Sequence, residues 1–169
     1  MPLESLQDLY VEELRDLYNA EQQIITALPK MAEGANNPEL RAAFEEHLAV
    51  TRQQVDRLET IFKDLSQKPT GKKCKGMEGL IEEGKEMLEE GRDPDVLDAA
   101  LIGAAQRVEH YEIAAYGTVR NFARQLGLDR HVALLQQTLD EEGETDKRLT
   151  SLAESGVNEQ ALTGRGRDD

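Results

Sequence analysis

Residues 97–122, LDAALIGAAQRVEHYEIAAYGTVRNF, read as one long helix carrying two stripes. The first stripe, Leu97, Leu101, Ala104, Val108, Tyr111, Ala115 and Phe122, keeps the three-and-four spacing of a buried helix face. The second, Ile102, Ala105, Glu109, Glu112, Tyr116 and Val119, keeps the same spacing but is broken at its middle by two glutamates. Residues three apart are neighbours on a helix surface, so both carboxylates share a face where apolar side chains are expected. A lone carboxylate in a core is costly unless it is protonated, paired or bound to a metal. Asp93-Pro94 supplies a start for this helix, about 94–126, and Gly127 a left-handed stop.

The flanking segments read the same way. Leu14, Leu17, Ile24, Leu28 and Met31 form a stripe on a helix opened by Ser5 or Pro2 and closed by Gly34, with Pro29 expected to kink its last turn. Asn37-Pro38-Glu39 opens a second helix, about 38–66, with the stripe Leu40, Phe44, Leu48, Val55, Leu58, Phe62 and Leu65. Residues 67–76, QKPTGKKCKG, read as a loop, followed by a short helix from Met77 to Glu90. Asp129 begins the last main helix, with Leu135, Leu139, Leu149 and Leu152 inward. Periodicity fades from Gly156, so residues 1–156 are expected to form the bundle and 157–169 a flexible tail. Two hairpins joined by one long crossover is the four-helix arrangement of ferritin-like bundles, so the predicted fold class is all-α.

Acids interrupt the other stripes too. Leu17, Glu21, Ile24 puts Glu21 at a core position, and Leu135, Thr138, Glu142, Thr145, Leu149 puts Glu142 on a seam, with Asp146 one turn on. Reflecting Glu21 through the first loop lands near residue 50, and reflecting Glu109 through the second turn lands near residue 146. Glu21, the 47–54 region, Glu109/Glu112 and Glu142/Asp146 are therefore expected at one level. Convergent oxygen donors on facing helices are how bundles hold a pair of iron or manganese ions. The competing reading is chance, since 34 acids in one chain place some on inward stripes. Helix two offers no carboxylate at this level, where Val50 sits; its donors are His47, Thr51 and Gln54. No Glu-x-x-His motif is present, because Phe44, Arg107 and Leu128 stand three before His47, His110 and His131. His47 reads either as a ligand or as a part-exposed residue beside Glu45 and Glu46; His110 and His131 read as surface residues.

Composition excludes several function classes. With 20 basic residues against 34 acidic ones, the net charge is −14 over 169 residues, which is the wrong sign for gripping nucleic acid phosphates. No apolar run is long enough for a membrane span, and MPLESLQDLY lacks the features of a signal peptide. A single cysteine, Cys74, fits a reducing cytoplasm. Aromatics are 4% with no Trp, so the core rests on aliphatic residues. Lys68, Lys72, Lys73 and Lys75 around Cys74 read as a solvated loop, and Cys74 as the residue docking that loop, with a redox role as the alternative. The tyrosines Tyr10, Tyr18, Tyr111 and Tyr116 read as core or dimer-interface residues. No phosphate-binding loop, Cys-x-x-Cys pair or nucleophile–His–Asp arrangement is visible.

The strings LxxLYVEELRDLYNAEQQ, GKKCKGMEGLIEE, VLDAALIGAAQRVEHYEIAAYGT and TLDEEGETDKRL resemble the YciE/YciF family of bacterial stress proteins over residues 3–155. The resemblance implies a ferritin-like bundle, a cytoplasmic homodimer and a dinuclear metal site drawing on Glu21, Glu109, Glu112, Glu142 and Asp146. The family's helix-two string His-Leu-Glu-Glu-Thr is here His47-Leu48-Ala49-Val50-Thr51, with Gln54 following. The expected ligand set is thus Glu21, His47, Gln54, Glu109, Glu112, Glu142 and Asp146, for iron or manganese, with peroxide or oxygen as the species reduced. The alternative is a metal-free dimeric bundle with a structural or interaction role, in which the seam acids find Arg, Lys, Gln or Tyr partners.

Overall fold

The computed structural model describes residues 3–163 and is helical throughout its elements. Helix α1 is Leu6–Gly34, α2 Pro38–Asp64, α3 Lys75–Glu89, α4 Pro94–Gln125 and α5 Asp129–Leu152. A π-helical turn, Ala153–Val157, leads into a last short helix, α6, Asn158–Thr163. No described helix is long and apolar enough to cross a membrane.

The starts follow from local chemistry. Ser5 Oγ accepts the Asp8 amide at 3.1 Å while Asp8 reaches back to the Glu4 amide, and Pro2 lies outside the described residues. Asn37 and Asp93 cap α2 and α4 by accepting amides of the first turn, each with proline at the first helical position. Helix α3 begins at Lys75, two residues before the expected Met77, because Cys74 Sγ accepts the Met77 amide at 3.4 Å and acts as its cap. Gly127, at φ 72°, ends α4: its own amide and that of Leu128 return to the carbonyls of Arg124 and Ala123. Helix α1 runs on through Pro29, which stands on the exposed side where its missing donor is cheapest.

Helices α1 and α2 form one antiparallel pair, α4 and α5 the other, and the pairs pack through α1 on α4 and α2 on α5. The crossover helix α3 lies on α4 and α1. This settles which α4 stripe faces where. Ile102, Ala105, Glu109, Glu112, Tyr116 and Val119 are buried in the bundle, whereas Leu97, Val108, Tyr111, Ala115 and Phe122 of the other stripe are only part-buried. Val108 and Tyr111 belong to the surface that α3 covers with Leu80 and Ile81.

The aliphatic core is divided. One cluster contains Ile24, Leu28, Leu40, Phe44, Leu101 and Leu149. The other contains Leu14, Leu17, Leu58, Phe62, Tyr116 and Leu135. Between these clusters each main helix buries polar side chains: Glu21 on α1, His47, Thr51 and Gln54 on α2, Glu109 and Glu112 on α4, and Thr138 and Glu142 on α5.

The expected tail is helical as far as Thr163, with Val157 buried, since the chain turns back onto α4 after Gly156. Residues 164–169 lie outside the described residues.

Candidate metal centre

The polar layer between the two clusters is built from one turn of each main helix. Glu21 of α1, Glu109 and Glu112 of α4, and Glu142 of α5 are all fully buried, with Gln54 of α2 fully buried and His47 of α2 at 5% exposure. The spacing in each helix explains the convergence. Leu17 and Ile24 anchor Glu21 from the two clusters, Phe44 and Leu58 bracket His47 and Gln54, Ala105 and Tyr116 bracket the α4 pair, and Leu135 and Leu149 bracket Glu142.

His47 Nδ1 lies 3.3 Å from Glu109 Oε1, and its Nε2 lies 3.8 Å from Glu142 Oε2. His47, Glu109, Glu112 and Glu142 each offer one donor atom, and these four atoms fall within 4.8 Å of one another. Ligands on opposite sides of one ion at about 2.0–2.2 Å stand roughly 4.0–4.4 Å apart, so the cluster is near coordination size.

Two neutral donors orient the acids. Tyr116 Oη donates to Glu21 Oε1, and Gln54 Nε2 donates to Glu142 Oε1. The same Gln54 nitrogen donates to Glu141 Oε2 at 3.2 Å, and Arg57 grips both oxygens of Glu141 at 2.7 Å while also donating to Thr138. Beyond these contacts the layer is unpaired. Both oxygens of Glu109 and Glu112, one oxygen each of Glu21 and Glu142, His47 Nε2 and Gln54 Oε1 find no hydrogen-bond partner among the described residues.

Burial dominates the electrostatics. Loss of water, then the charge on Glu142, pushes Glu21 up to about 8. Burial raises Glu109 and Glu112 well above the ordinary glutamate value, with Glu142 adding to both. Burial lowers His47, keeping its imidazole neutral and able to donate a lone pair, and raises the Tyr116 phenol. Many unpaired acceptor atoms facing one another are repulsive without a proton or a cation among them, and this donor set fits a hard divalent ion with an imidazole partner.

Three sequence expectations require correction. Asp146 does not join the layer: it is turned to the flank of α5, where it accepts Gln106 Nε2 at 3.1 Å and lies 3.3 Å from the exposed His110. A residue four after Glu142 drifts about 40° round the helix, and here that drift carries it past the seam. Thr51 is buried but spends its hydroxyl on the His47 carbonyl at 2.8 Å. His131 is buried rather than at the surface, bonded through Nδ1 to Tyr10 Oη at 3.2 Å. Its place was visible in the series His131, Leu135, Thr138, Glu142, all on one face. Asp98 was missed for the same reason, one turn before Ile102: it accepts the Asn36 and Asn37 amides, both at 2.7 Å.

Cys74 is fully buried; its amide donates to Asn19 and its carbonyl accepts from Gln23. Burial raises its thiol, so it docks the loop onto α1 rather than offering a reactive thiolate. Two of the surrounding lysines are engaged at the surface, Lys72 with Glu12 and Lys73 with Glu78.

Comparison with known proteins agrees with this architecture. The chain is 44% identical over 162 residues to Protein YciF of Escherichia coli (strain K12), covering 95% of this chain and 98% of that one. The crystal structure of the E. coli stress protein YciF superposes with a TM-score of 0.89, covering 92% of this chain and 99% of that chain. YcfI of Rhodopseudomonas palustris, suggested to be a structural protein, is 46% identical with a TM-score of 0.84, covering 87% of this chain and 94% of that one. A two-domain protein of Anabaena variabilis containing DJ-1/ThiJ/PfpI-like and ferritin-like domains shares the fold at 19% identity and a TM-score of 0.62, over 91% of this chain and 38% of that one. The domain model of unknown function DUF892 matches residues 5–162, and the chain therefore belongs to that family, among its YciF-like members, with a ferritin-like helical fold.

Proposed function

We propose that the buried layer holds one or two iron or manganese ions and that the loaded protein reduces peroxide or oxygen. The observation that carries this reading is a set of buried donors without partners among the described residues, four of which, on α2, α4 and α5, lie at near coordination distance from one another. His47, Glu109, Glu112 and Glu142 are the ligands, and Glu21, held by Tyr116, faces the same space as a further carboxylate. Four ionised glutamates carry four negative charges, which two divalent ions neutralise; with one ion, two protons remain on the acids.

Bound iron or manganese supplies the electron transfer that none of these side chains performs alone. The chain's own contribution is positional. Gln54, itself tethered by the Arg57–Glu141 pair, fixes Glu142 through its amide. Tyr116 keeps its proton at Oη and aims Glu21. The two aliphatic clusters close the layer from both ends and exclude bulk water.

The metal-free structural reading requires partners for the acids. Tyr116 and Gln54 supply two, but Glu109 and Glu112 have none, which favours the metal. The test is elemental analysis of protein purified without a metal-binding tag. The expected result is about one or two ions per chain, lost in the Glu109→Ala/Glu142→Ala double variant. Metal retained by that variant overturns the ligand assignment, and a metal-free parent that stays empty after loading supports the structural role. A cytoplasmic homodimer is part of the same proposal, checked by light scattering.

A further inference from the structure

A groove of about 170 Å³ opens between α2 and α5 and ends against His47. Its walls carry Glu46, Glu141, Glu144, Val50, Thr145 and Arg148; Arg148 pairs with Glu46 and Arg57 holds Glu141, which leaves Glu144 as the wall carboxylate without an ion-pair partner among the described residues. Gln54 bridges a groove carboxylate, Glu141, to a layer carboxylate, Glu142, through one amide nitrogen. His47, 5% exposed, lines the groove while its Nε2 has no hydrogen-bond partner. Across the mouth Arg148 pairs with Glu46, tying α5 to α2 where both side chains are part-solvated. A second hollow, about 20 Å³, also touches His47 and Glu109, but from beneath α3, with walls that include Ile24, Leu28, Met31 and Ile81. Stripping a divalent cation of water against such walls is costly, whereas the α2–α5 groove offers carboxylates along its length.

We infer that the α2–α5 groove is the port through which divalent cations reach the buried layer, with the unpaired Glu144 drawing them in, the Arg148–Glu46 pair guarding the mouth and His47 receiving them. This rests on the metal reading above and adds the route. The small Val50 side chain is part-buried in the groove wall, where a larger side chain would narrow the passage. Convergent negative charge in a cleft raises local cation concentration and on-rate, with salt sensitivity as its signature.

The experiment mixes the metal-free full chain with Co²⁺ and follows the cobalt absorption band in time, then measures cobalt per chain at the end point. Glu144→Lys, at an exposed position, is expected to slow uptake about tenfold at low salt and less at high salt. Val50→Trp is expected to slow it by plugging the groove, and Arg148→Ala to speed it. All three are expected to keep the parent's end-point stoichiometry. Glu86→Lys on α3 makes the same charge change elsewhere and is expected to leave the rate unchanged. Parent-like rates in Glu144→Lys and Val50→Trp overturn the port and leave the metal site standing. Equal slowing by Glu86→Lys, or a lower end point in Glu144→Lys, also overturns it. A parent that takes up no cobalt overturns both the port and the metal reading.

Discussion

Glu112 shows most simply what the buried layer costs. Its two oxygens have no partner, and burial holds its proton far above the ordinary glutamate range. Glu112→Gln keeps the shape without a titrating group, so the folded metal-free protein no longer has to hold a proton there and should gain about 1 kcal/mol at pH 8, or ~2–4 °C in Tm. The same variant should lose the Tm rise that Mn²⁺ gives the parent. Calorimetry with and without the ion checks both. Tyr116→Phe works in the other direction: it strips Glu21 of its donor and should cost about 1–3 kcal/mol in a denaturant titration. Glu21, Glu109, Glu112 and Glu142 were legible in the sequence because each replaces an aliphatic residue inside a three-and-four series. Asp146 was misread because a position one turn from a seam residue is displaced round the helix, and only the packed neighbour, Gln106, reveals which way it turns.

Among the elements, capping chemistry could be read directly and docking could not. Asn37-Pro38, Asp93-Pro94 and Gly127 mark their helix ends as expected. The end of α2 is less regular: Ser66 takes the left-handed position at φ 53°, with its amide on the Lys63 carbonyl and the Gln67 amide on the Phe62 carbonyl. Glycine adopts that conformation without a Cβ penalty, so Ser66→Gly should stabilise by about 0.5–1 kcal/mol in chemical unfolding. Asp98 is the converse case. It leaves the α4 inner stripe to receive two amides of the α1–α2 loop, and Asp98→Ala strands both, at a cost of about 1–3 kcal/mol per group. The outer stripe of α4 read as its main core face because the partner covering it, α3, sits in the crossover. Periodicity reports that a face is apolar, not which helix lies on it.

For the whole molecule, the net charge of −14 separates into a solvated surface and four acids sealed between two aliphatic clusters. That separation sets a pH dependence. Between pH 6.5 and 8 the folded metal-free chain retains a proton on Glu21, at about 8, which the unfolded chain near 4.5 has already released, and burial shifts Glu109 and Glu112 in the same direction. The folded state then binds more protons than the unfolded one, so stability should fall as pH rises, on the order of 2 kcal/mol across the window for one retained proton. His47, lowered from 6.5 by burial, is half-protonated in the unfolded chain at pH 6.5 and neutral when folded, so it opposes the trend only at the lower edge of the window, by less than the Glu21 effect. Added Mn²⁺ should reverse the slope, because a cation replaces those protons and its binding strengthens as they leave. Denaturant melts at pH 6.5 and 8, with and without the ion, check the sign.

Whether the polar layer binds metal is read straight from diffraction by crystals grown with Mn²⁺, recorded for its anomalous signal. One or two anomalous peaks are expected, enclosed by His47, Glu109, Glu112 and Glu142, within coordination distance of the oxygens that have no partner among the described residues. A layer without any anomalous peak, with manganese found only among the surface acids, would contradict the metal reading.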